Sequence, residues 1–221
     1  MTILITLFVW RTFPQFPQKT VQHKHMLMRR RYWLYYALVF MSGARRQIFT
    51  VFAGFLMVEK FSYSVSEIAL LFMVNAACNI FVAPQIGRLI DRVGERNALI
   101  LEYSGLALIF CSYALVETGW IAAVLYVFDH LFFGLAISLK TYFQKIAAPA
   151  DIASTAGVSF TINHIAAVVI PVVFGLIWLN SHAMVFYLGA VMAVVSLLLS
   201  ILIPRHPEQG RETRLAIKPA T

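Results

Sequence analysis

An all-α, polytopic membrane fold is predicted by three observations. The chain has 221 residues, is 60% hydrophobic and has a mean hydropathy of +0.77. Its apolar residues gather into six long runs, and its basic residues are almost wholly excluded from them. Soluble domains are about 45–50% apolar, and one core cannot hide the excess seen here. The net charge of +8 would also suit a nucleic-acid partner. That partner is excluded because the arginines and lysines lie between the apolar runs, as topology determinants do.

The N-terminal segment, residues 1–31, is irregular. Thr2 to Trp10 is apolar but about half the length of a bilayer span. It lacks the basic start and small-residue cleavage site of a signal peptide. Arg11 to His25 contains Pro14 and Pro17 and reads as a linker. A half-span followed by a linker suggests the back half of something longer. Arg29, Arg30 and Arg31 form a basic anchor.

Residues 32–203 form the predicted transmembrane domain. Its helices are expected over Tyr32–Val58, Val65–Ile86, Ala98–Val116, Trp120–Leu139, Ile152–Trp178 and Ala183–Ile203. Each is near the ~20 residues that cross a hydrocarbon core. Asp151 is placed to cap the fifth helix, and Pro204 ends the sixth. Tyr32, Trp33, Tyr35, Tyr36, Trp120 and Trp178 lie near span ends, where an aromatic belt forms. Cys78 and Cys111 lie inside apolar runs and read as small buried hydrophobes. The tail, residues 204–221, reads as polar and mobile.

Charge sets the orientation. Six spans put both termini on one side, with Arg88, Arg92, Arg96, Lys140 and Lys145; the opposite loops hold only Lys60. Both termini are therefore expected in the cytoplasm, with the chain in a plasma membrane or, in a bacterium, the inner membrane.

Between the second and third runs the sequence reads Gly87-Arg88-Leu89-Ile90-Asp91-Arg92-Val93-Gly94-Glu95-Arg96-Asn97. The reading is a tight hydrophilic turn, bent at Gly87 and Gly94. It resembles the signature loop of the major facilitator superfamily, Gly-x-x-x-Asp-Arg-x-Gly-Arg-Arg/Lys. Gly87, Asp91, Arg92, Gly94 and Arg96 match; Glu95 departs, standing where the family has a basic residue. The resemblance extends over about Arg29 to Pro204. It implies one six-helix half of a twelve-helix secondary transporter, C-terminal-half-like. Such halves enclose a midplane cavity in pairs and rock against each other. The chain would therefore dimerise, pair with another half, or be a fragment. The resemblance also implies a gating role for the loop, with Asp91 near the fifth helix; Arg92 is a candidate partner for Asp151.

Charged side chains inside a span cost about 2.5–3.5 kcal/mol on insertion scales, so they are functional candidates. Arg45 and Arg46 lie midway along the first helix, Asn75 along the second, Asp129 and His130 along the fourth, and Asn163 and His164 along the fifth. Ser42, Arg46 and Thr50 are spaced to share one helix face, as are Thr155, Ser159 and Asn163. The sixth helix has no charge and reads as lipid-facing. In the resembled fold the first, second, fourth and fifth helices line the cavity, and the polar pattern agrees.

Arg45 and Arg46, with Asn75, Asn163 and His164, are the candidate solute-binding residues. A guanidinium facing a cavity would hold a carboxylate or phosphate through its planar fork. The other readings are a structural ion pair of Arg46 with Asp129 and snorkelling of the arginines toward water. Asp129 and His130 are the proton-coupling candidates, because a carboxylate whose protonation follows the approach of an arginine suits a coupled carrier. Glu102 reads as an interfacial packing or cytoplasmic salt-bridge residue. Gly134, Gly157, Gly175 and Gly189 suit close helix contacts, and Pro171 a kink.

The sequence carries no Walker phosphate loop, no His-Glu-x-x-His zinc motif and no paired-cysteine metal site. Neither enzyme activity nor a cofactor is expected. The reading is a half-unit carrier of a small, anionic solute, driven by an ion gradient. Its expected partners are the lipid bilayer, the solute and a second six-helix half. The competing reading is a non-transporting membrane module that assembles with another membrane protein.

Overall fold

The computed structural model describes residues 28–215 continuously, with residues 6, 8, 9, 11, 12, 25 and 26. Most of the Thr2–Trp10 stretch and of the linker, with Lys19, Lys24 and Lys218, lies outside the described residues. The elements are helical: α1 (Trp33–Gln47), a π-helical segment (Ile48–Ala53), α2 (Gly54–Phe61), α3 (Val65–Leu115), α4 (Gly119–Phe133), α5 (Ile137–Ile146), α6 (Ile152–Trp178) and α7 (His182–Ile201). Short 3₁₀ turns precede α1, α5 and α6. Among the described residues there is no strand.

Among the described residues, four helical stretches are long and apolar enough to cross a membrane: Val65–Leu115, Gly119–Ile146, Pro149–Trp178 and His182–Ile201. The first expected span is interrupted by the π-helical segment, which leaves α-helical pieces of 15 and 8 residues. The second and third expected spans lie within the 51 residues of α3.

A straight helix of that length would measure about 76 Å. Yet Lys60, just before α3, donates to the Val116 carbonyl just after it, at 2.6 Å. The chain has reversed within α3, and Gly94 is where it does so. Its φ of +80° and ψ of 160° are the one non-helical pair inside α3. That region is almost closed to residues with a Cβ. The expected loop is thus a single-residue break, with helix on both sides. Gly87 makes no bend: it lies within the helix, with open space around it. Asn97 donates to the Val93 carbonyl at 2.9 Å, occupying an acceptor left by the broken ladder.

The two ends of the bundle differ in charge. The Gly94 end holds Arg29, Arg31, Lys145, Arg96, Arg205 and Arg214 with Asp151, Glu212 and Glu95; the other holds Lys60 and His182 with Glu59 and Glu117. One apolar core, built on Phe49, Phe52, Phe110, Tyr113 and Phe186, fills the Lys60 half. A second, built on Tyr32, Tyr35, Leu99, Tyr142 and Phe143, fills the Gly94 half.

Several surface expectations change. Tyr32, Tyr35, Tyr36 and Trp178 are buried rather than belted at an interface, while Trp33 and Trp120 remain exposed. Tyr32 has polar partners inside, Asp151 and the Ala148 amide, which allow its hydroxyl to be buried. α7 faces outward only in part. Its small residues Gly189, Ala190, Ala193, Ser196 and Ser200 are buried, with Gly189 packed against Ile48 and Phe110. The described tail is docked rather than mobile. Tyr142 donates to the Glu212 carbonyl at 2.6 Å, Gln209 donates to the Ala147 carbonyl at 2.8 Å, and the Arg214 amide closes onto Leu202 at 2.8 Å.

Candidate functional site

Two recesses flank α1 and the π-helical segment. The larger, about 660 Å³, runs between α1, α5 and α6. α1 contributes Ser42 and Arg46, α5 contributes Lys140 and Gln144, and α6 contributes Ser159 and Asn163. These positions recur every three or four residues, so each helix turns one polar stripe to the recess. Aromatic side chains wall it: Tyr35 stacks on Phe143 at 4.4 Å. Among the described residues no acidic side chain lines it. Arg46 and Lys140 form no ion pair among the described residues.

α1 and α6 meet closely at Gly43. A Cβ there would lie 2.6 Å from the Asn163 side-chain oxygen, so the absence of a side chain lets Asn163 reach α1. Asn163 also donates to the Ser159 carbonyl at 3.1 Å, which fixes its amide.

The smaller recess, about 320 Å³, is almost wholly apolar and lies toward the Lys60 end. Thr50 lines it, with Phe55, Phe72 and Tyr126. Ser42 and Arg46 therefore share a recess as their spacing predicts, but Thr50 does not join them. The i, i+4, i+8 rule assumes 3.6 residues per turn, and the π-helical segment widens the turn where Thr50 sits.

A polar cluster is buried inside the bundle. Arg45 and Glu102 are both fully buried, with a guanidinium nitrogen 3.8 Å from the carboxylate. The Arg45 guanidinium lies over the Tyr103 ring at 4.3 Å, and its Nε donates to the Met41 carbonyl at 3.2 Å. Asp129 is also fully buried and is coupled electrostatically to Arg45 and Tyr113. Neither carboxyl has a hydrogen-bond partner among the described residues. Neighbours in a helix point about 100° apart, which is why Arg45 enters the core while Arg46 faces the recess.

The other predicted residues are dispersed. Asn75 is buried on α3, and its amide lacks a partner among the described residues. His130 is partly buried, with its ring 6.1 Å from Phe49. His164 faces outward, its Nδ1 donating to the Phe160 carbonyl at 2.9 Å. Glu102 sits in the core, not at an interface, because Arg45 accompanies it there.

At the Gly94 end, Asp151 pairs with Arg29 at 2.8 Å and Arg31 at 3.7 Å rather than with Arg92. It occupies the N-cap of α6 without a side-chain cap bond, because its oxygens are turned to those arginines. Arg31 also reaches Glu212, tying the tail to α1 at 3.7 Å. Asp91 and Arg92 are exposed. Glu95, the departure from the signature pattern, is buried and pairs with Lys145 at 2.5 Å. Partial burial, then the charges of Arg214 and Arg205, hold the Arg96 guanidinium below its ordinary value.

Reasoning from sequence missed Lys140 and Lys145, counting both as topology determinants. The available signal for Lys140 was Gln144 one turn on, which puts two polar groups on one face of the helix.

No curated protein matches the sequence. The family model described as Major Facilitator Superfamily matches residues 1–171 and 36–219, two overlapping stretches that take in nearly the whole chain. With helices apolar and long enough to cross a bilayer, the match identifies an integral membrane protein of transporter type: the chain belongs to the major facilitator superfamily.

Proposed function

We propose that the chain is a six-span half of a secondary carrier and moves a small anionic solute by alternating access. The observation that carries this reading is the larger recess, which Arg46 and Asn163 both line without an acidic side chain among the described lining residues. An uncompensated arginine at that depth is costly, and an anionic solute would supply the missing charge. Six spans follow if α3 counts as two at its Gly94 reversal and Trp33–Phe61 crosses as one. The charge difference between the ends supports cytoplasmic termini and placement in the plasma or bacterial inner membrane.

The buried cluster is the proposed coupling element. One guanidinium cannot neutralise both Glu102 and Asp129, so a proton on one carboxyl would balance the site. A second six-helix half would cover the recess and the apolar faces of α6 and the first part of α3, where Val168, Val172, Ile80 and Phe81 are exposed. The Gly87–Arg96 segment would gate at the cytoplasmic end, its Gly94 break held to α5 through Glu95 and Lys145.

Counterflow in proteoliposomes loaded with small carboxylates and phosphate esters tests the reading. Exchange of at least one anion is expected, and Arg46→Gln should abolish it. Asp129→Asn should keep counterflow while losing uphill uptake. Full counterflow in Arg46→Gln would contradict the site.

A further inference from the structure

We propose that the recess selects a small dianion, held between Arg46 on α1 and Lys140 on α5. This rests on the carrier reading and adds the substrate class. Both cations line the same space from different helices. The other acids nearby in the fold are paired elsewhere, Glu102 with Arg45, Glu95 with Lys145, and Asp151 and Glu212 with Arg31, while Asp129 is buried near Arg45 and does not line the recess. Among the described residues the recess thus carries two positive charges and no negative one.

The remaining polar groups suit an anion as well. Ser42 lies one turn before Arg46 and Gln144 one turn after Lys140, each able to donate a hydrogen bond. Arg46 offers a planar fork that fits one carboxylate or phosphoryl face, and Lys140 a point charge for the second. Val39, Phe133 and Leu139 provide apolar wall for a short carbon skeleton. A monoanion would leave one cation uncompensated, which is the basis of the selectivity.

The test uses the full purified chain in nanodiscs, with its unfolding midpoint followed at constant ionic strength and pH 7.5. Acetate serves as the monoanion; succinate and inorganic phosphate are the dianions. The dianions should raise the midpoint at lower concentrations than acetate. Lys140→Gln should weaken apparent dianion affinity on the order of tenfold, as expected for one charged hydrogen bond. It should weaken the acetate response less than the dianion responses, and Lys140→Arg should restore the preference. A larger response to succinate than to phosphate, or the reverse, separates a dicarboxylate from a phosphoryl solute within the proposal. Stabilisation that needs Arg46 but is indifferent to Lys140 and to the second charge overturns the dianion proposal and leaves the carrier reading standing. No Arg46-dependent stabilisation by any of the three anions overturns both.

Discussion

Arg45 and Arg46 are neighbours in sequence but have different surroundings in the fold. Arg45 is enclosed with Glu102 under the Tyr103 ring, whereas Arg46 opens onto the recess. Removing Arg45 as Arg45→Met leaves Glu102 and Asp129 buried without their cation. A loss of about 3–5 kcal/mol is expected, as for other broken buried pairs. Adding Glu102→Gln should recover part of it. Purely additive losses in the unfolding midpoint would mean that the two side chains are not coupled. Gly94 carries a different kind of constraint. A Gly94→Ala change forces a Cβ into backbone space held almost only by glycine, at a cost of about 1–3 kcal/mol. A thermal melt unchanged by Gly94→Ala would remove the reversal from this account. The sequence singled out charged positions at mid-depth because charges interrupt apolar runs. It left open which arginine faced where, since that depends on helix phase and the π-helical segment follows Arg46 within two residues.

Helix contacts explain which small residues matter. A Cβ on Gly105 would lie 2.2 Å from the Phe132 ring, so α3 and α4 touch there directly. Gly105→Ala should destabilise by about 1–3 kcal/mol, the usual cost of overpacking. Phe132→Leu should relieve part of that loss in the double variant. Gly175, singled out from sequence as a contact glycine, has open space around it. Composition marks a small residue, but only packing shows whether anything lies against it. At its N-terminus α3 begins with a reciprocal cap: the Glu67 carboxylate accepts from the Ser64 amide at 2.7 Å, and the Glu67 amide donates to the Ser64 hydroxyl at 3.3 Å. Glu67→Ala removes one side of this cap, so hydrogen exchange in the first turn of α3 should quicken, and unaltered exchange there would contradict the cap.

The membrane class of the molecule was legible because hydropathy and basic-residue placement act over whole segments. The loop signature was legible because Gly94 serves a backbone conformation that side chains do not fit. The docked tail was not, since its bonds come from single polar groups on distant helices, such as Tyr142 and Ala147. Lys140 was hidden for a related reason: proximity to Arg46 is a property of the assembled helices. At this scale the central claim is that the recess between α1, α5 and α6 is a water-filled solute site opening at the Gly94 end. Substituted-cysteine accessibility in native membranes tests that most directly, with Cys78 and Cys111 replaced by serine. Ser42→Cys and Gln144→Cys should react with a membrane-impermeant thiol reagent applied to the face that bears Gly94, and a transported anion should slow the reaction. Val172→Cys, on the apolar face of α6 that the second half would cover, should stay unreactive. Recess cysteines that remain inert from both faces, while an exposed cysteine in the tail reacts, would contradict the account.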